Sequence, residues 1–146
     1  MAALVSGGTQ ASPRLATVAG LCIGPWILYA LLVPGGTFGW VGFGLDALAL
    51  VLLAACRGRG VPLYRPPLVR LALGGVALSA LLRFGVLPFA LHGPTEEGAP
   101  TMEAYGEALE STVALLLGVS LLHHLTVGLF ALLLLVALVR ASRPEG

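Results

Sequence analysis

The chain has 146 residues, of which 58% are hydrophobic and 10% charged, with a net charge of +1 and a mean hydropathy of +0.96. A soluble domain carries about 25% charged residues, and a core of this size cannot hide so much apolar surface. The composition therefore excludes a soluble globular protein, and the small net charge excludes a nucleic-acid partner. Two cysteines, Cys22 and Cys56, give no disulfide framework and read as small apolar packing residues. A lipid anchor on Cys56, beside a membrane boundary, is the weaker alternative.

Residues 1–14 read as a short polar tail. The first apolar run, 15–33, follows Arg14 but is too long for a signal-peptide core and lacks an A-x-A cleavage site, so it reads as a retained span. It holds Gly20-x-x-x-Gly24, a close-packing pattern of membrane helices, then Pro25, which predicts a kink. Trp26 and Tyr29 lie in its second half. Pro34, Gly35 and Gly36 allow only a tight helical hairpin.

Span two covers 37–56, with Phe38 and Trp40 as interface anchors. Gly39 and Gly42 precede Asp46 on one helical face. Residues 57–67 form a basic, proline-containing loop. Span three covers 68–91, where Gly75, Ser79 and Arg83 recur every four residues and share a face. The connection after it holds five glutamates and no basic residue. Within it Thr101 reads as an N-cap, and Met102, Tyr105 and Leu109 predict a short acidic amphipathic helix, lying on the membrane or leading into span four.

Span four, 111–139, has 29 residues without a formal charge, roughly 43 Å of helix against a hydrocarbon core of about 30 Å. It must tilt or protrude. Ser120, His124 and Gly128 share a face at four-residue spacing. Residues 140–146 form a second tail.

Seven of the eight arginines flank the spans on one side, and five of the seven acids fall in the third connection. Four spans sort these charges cleanly, whereas three or five would mix them. The expected architecture is an all-α, four-transmembrane-helix bundle over 15–139. The positive-inside rule puts both termini in the cytoplasm, and the membrane is expected to be the cell (inner) membrane if the chain is bacterial.

Four polar side chains lie at membrane depth: Asp46, Arg83, His123 and His124. Asp46 lies roughly 14 Å and Arg83 roughly 12 Å below the outer ends of their helices. Their opposite leans toward their helix N-termini bring them to one level, predicting an Asp46–Arg83 ion pair. His124, on the small-residue face, is expected to point into the bundle and His123 toward Thr126 and Phe130. Gly20, Gly24, Gly39, Gly42, Gly75, Ser79, Ser120 and Gly128 are the expected helix-packing positions.

No P-loop, G-x-S-x-G or H-E-x-x-H motif occurs, and no ligand spacing for zinc or calcium. No cofactor or metal is expected. The functional expectation is a non-enzymatic accessory or assembly subunit, partnered by the bilayer and by another membrane protein or copies of itself. The alternatives are a small oligomeric transporter or proton-coupled carrier using Asp46, Arg83 and His124, and a haem-binding or redox subunit resting on the histidines.

Overall fold

A computed structural model describes residues 9–10, 13–33, 36–63, 66–90 and 102–143, and these are almost entirely helical. Helix α1 runs Pro13–Leu32, α2 Gly36–Gly58, α3 Pro66–Ala80, α4 Leu87–Ala90 and α5 Met102–Ala141. Between α3 and α4 the chain winds as a π-helix over Leu81–Val86. Among the described residues, four stretches are long and apolar enough to cross a membrane: Arg14–Leu32, Gly39–Gly58, Pro67–Val86 and Glu110–Ala141. The chain is a multi-pass helical membrane protein by that criterion.

Local chemistry sets the helix ends. Pro13 opens α1, where its missing N–H costs nothing. The Arg57-Gly58-Arg59-Gly60 stretch ends α2 in a Schellman motif. Gly60 sits at φ +61° and donates to Arg57 O at 3.1 Å, and Val61 donates to Cys56 O at 2.9 Å. Val61 and Cys56 are both buried, which supplies the motif's apolar contact.

The turn that follows is not a plain loop. Strand β2 (Pro62–Leu63) pairs antiparallel with β1 (Thr9–Gln10), in the register Thr9 to Leu63 and Gln10 to Pro62. Two residues of the expected polar tail are thus held against the basic end of the bundle, where Leu63 is buried.

The π-turn has a chemical cause in Pro88. A proline there cannot donate to the Phe84 carbonyl and would clash with it in an α-helix. The chain instead widens, and Leu87 N–H bonds to Leu82 O, five residues back.

Helix α5 packs against α2 and α3, and α1 packs against the same two helices. Each contributes a stripe of buried residues at alternating three- and four-residue spacing. On α5 the stripe is Val119, His123, Val127, Phe130, Leu134 and Ala137. On α2 it is Asp46, Ala49, Leu53 and Cys56; on α1, Ala19, Ile23 and Trp26. A large apolar cluster fills the basic half of the bundle, and a smaller one around Trp26, Leu87 and Val119 fills the other half. Many leucines point outward, Leu21 and Leu71 among the most exposed, as a lipid-facing surface requires.

Residues 102–110, in the stretch expected to be amphipathic, begin α5 and lead directly into the fourth span. Thr101, the expected N-cap, and residues 91–100 lie outside the described residues.

Candidate functional site: a buried four-helix polar cluster

Between the two apolar clusters, each span contributes one side chain to a common contact. Asp46 of α2 meets His123 of α5, with Nε2 to Oδ1 at 2.9 Å. Ser79 of α3 meets the other ring nitrogen, with Oγ to Nδ1 at 3.2 Å. Trp26 of α1 lies flat on the imidazole, with ring centroids 4.0 Å apart and planes 14° apart. His123 and Ser79 are 0% exposed and Asp46 is 2% exposed.

The hydrogens of this cluster can be placed by counting. Ser79 Oγ lies 2.8 Å from Val76 O and donates its single proton there. Toward His123 it can only accept, so Nδ1 carries a hydrogen. One further proton then lies between Nε2 and Asp46 Oδ1, since two lone pairs would repel at that distance. Whichever atom holds it, the Asp46–His123 pair has no net charge. That is how a carboxyl group is tolerated in a slab where an isolated ion is expensive.

The expected Asp46–Arg83 ion pair does not form. Asp46 bonds to His123, whereas Arg83 donates to Tyr29 Oη at 2.5 Å and stacks its guanidinium 4.7 Å from the Tyr29 ring centre. The four-residue spacing that placed Arg83 beside Ser79 assumes α-helix throughout. The π-turn starts between them and rotates Arg83 toward α1. Phe84 packs edge-on against both Trp26 and Tyr29.

The two histidines also exchange their expected roles. His123 occupies the core, and His124 lies half-buried on the α2–α5 seam, where Nδ1 bonds to Ser120 O at 2.5 Å. A Cβ added at Gly42 would lie 2.6 Å from His124 Nε2, so glycine makes room for that ring. Gly75 does the same for Thr126 on the α3–α5 seam. By contrast a Cβ at Gly20, Gly24, Gly39 or Gly128 would meet no atom within 4 Å beyond its own helix backbone and chain neighbours among the described residues, so no described neighbour approaches these glycines closely. Ser79 packs, but as a member of the polar cluster.

Trp26 was not singled out by its sequence context, although its spacing from Ala19 and Ile23 marks the buried face. Its indole N–H is buried with no acceptor among the described residues. Cys56 is fully buried with Sγ 3.5 Å from Leu134 O, which removes it as a lipid-anchor site.

Among the described residues no three His, Cys, Asp or Glu side chains gather as metal ligands. Both nitrogens of His123 are engaged by protein groups, leaving neither for iron. No protein-family model, no curated protein and no solved structure matches this chain.

Proposed function

We propose that this chain is a non-enzymatic accessory or assembly subunit of a larger membrane complex, with both termini on the cytoplasmic face. The observation that carries the reading is the sealed polar cluster. Asp46, His123 and Ser79 are hydrogen-bonded within the bundle and Trp26 covers the imidazole, so one side chain from each span defines how the four helices pack.

The Ser79–His123–Asp46 connectivity invites a hydrolase reading, which the surroundings oppose. A nucleophile must reach substrate and face oxyanion donors. Ser79 is fully buried, and its proton is held by Val76 O. Three surface grooves among the described residues are lined by other residues. A fluorophosphonate probe should leave Ser79 unlabelled.

Purification from native membranes in mild detergent should return the chain with a partner at fixed stoichiometry. Recovery as a lone, folded, monodisperse monomer would overturn the assembly role.

A second reading, a proton-coupled carrier, is favoured by the proton shared between Asp46 and His123. It would run through that pair, with His124 and Arg83 beside it rather than in it. Proton flux into liposomes that disappears in Asp46→Asn would select this reading over the first.

A further inference from the structure

We propose that the furrow between α3 and α5 at the basic end of the bundle seats an anionic phospholipid. Its acyl chain would lie along α5, and its phosphate at Arg140. The proposal stands independently of the assembly reading.

Two adjoining grooves make the furrow. One, of about 330 Å³, lies between Leu68 and Val69 of α3 and the α5 residues Leu129, Leu133, Val136 and Arg140. The other, of about 540 Å³, continues from Leu129 toward Thr126 and Leu122 and is lined on α3 by Arg70, Gly74 and Gly75. Leu122, Thr126, Leu129, Leu133, Val136 and Arg140 follow one another at four- and three-residue spacing, so they form one continuous face of α5. On α3 the second groove is lined by Ala72, Gly74 and Gly75 beside Leu71 and Leu78.

Length fits a lipid chain. From Leu129 to Arg140 the first groove, where the acyl chain would lie, runs roughly 16 Å along the helix axis. Half the hydrocarbon core is about 15 Å.

Charge selects the headgroup. The furrow's walls are leucine and valine, but its mouth carries Arg140, and Arg70 lines the adjoining groove at the same end. Basic pockets between membrane helices bind anionic headgroups, and attraction to an anionic membrane surface is worth about 1 kcal/mol per arginine. That is a preference of roughly fivefold for each.

The test is lipid retention, read by native mass spectrometry of protein extracted from vesicles. These would hold equal phosphatidylglycerol and phosphatidylcholine with identical acyl chains. The wild type should retain phosphatidylglycerol at least about fivefold over phosphatidylcholine. Arg140→Gln should cut that preference by roughly fivefold while leaving total lipid nearly unchanged. Leu129→Trp should reduce retention of both lipids. Leu115→Trp, on the exposed surface of α5 toward its other end, should change neither. Soluble glycerol phosphate should not displace the lipid. Equal retention of both lipids by the wild type would overturn the proposal, as would indifference to both Arg140→Gln and Leu129→Trp, or an equal effect of Leu115→Trp. A dimer in the wild type that Leu129→Trp abolishes would show a second copy in the furrow instead.

Discussion

His123 gives each of its surfaces to a different helix: Nε2 to Asp46, Nδ1 to Ser79 and a ring face to Trp26. Interhelical hydrogen bonds in membranes average only about 0.6 kcal/mol, but a buried partner left alone costs about 3–5 kcal/mol. Asp46→Leu and His123→Leu should therefore each destabilise by about 3 kcal/mol. The double substitution should return to within about 1 kcal/mol of wild type. Unfolding in mixed detergent measures all three, and simple addition of the two losses would show that the groups are not bonded. Trp26 offers the opposite case. Because its N–H is buried without an acceptor among the described residues, Trp26→Phe keeps a ring on His123 and removes a poorly satisfied donor. It should be neutral or stabilising by about 1 kcal/mol. The polar residues at membrane depth were legible in the sequence. Their pairing was not, because counting residues from a helix end gives depth but not direction around the axis.

At the scale of elements, the same limit explains both misplaced partners. Helix α5 is apolar on every side through the span, so its periodicity prefers no face, and the small residues near His124 pointed to the α2–α5 seam rather than to the core. On the third span, Pro88 and Gly85 were visible, but the π-turn they accompany adds a residue to one turn and shifts the register ahead of it. Small-residue patterns were informative only where a bulky neighbour sits opposite. Gly42→Ala should cost about 1–3 kcal/mol, because the new methyl meets a ring already tied to Ser120 O. Gly24→Ala, with open space around it, should instead gain up to about 1 kcal/mol from helix propensity. Thermal unfolding of the two variants in one detergent makes the comparison, and equal effects would refute the seam packing at Gly42.

At the scale of the molecule, the number of spans followed directly from composition and charge sorting, because twenty-residue apolar runs have few other uses. What sequence did not reveal was the tie at the basic end, where a two-residue strand from the tail closes on β2. Backbone pairing of that length leaves no periodic signal.

The Asp46–His123 contact also has a history in time. The two residues stand 77 positions apart, and ribosomes add about 5–20 residues per second. The second span must therefore wait roughly 4–15 s beside or within the bilayer, carrying an acid whose partner has not been made. Helix α5 completes the centre of the bundle, so closure of the core must await the synthesis of Met102–Ala141. A chain stopped before residue 102 should insert its second span poorly, and Asp46→Leu should restore insertion of that fragment. Efficient insertion of the unmodified fragment, read by glycosylation or cysteine accessibility, would show that the acid finds a temporary partner.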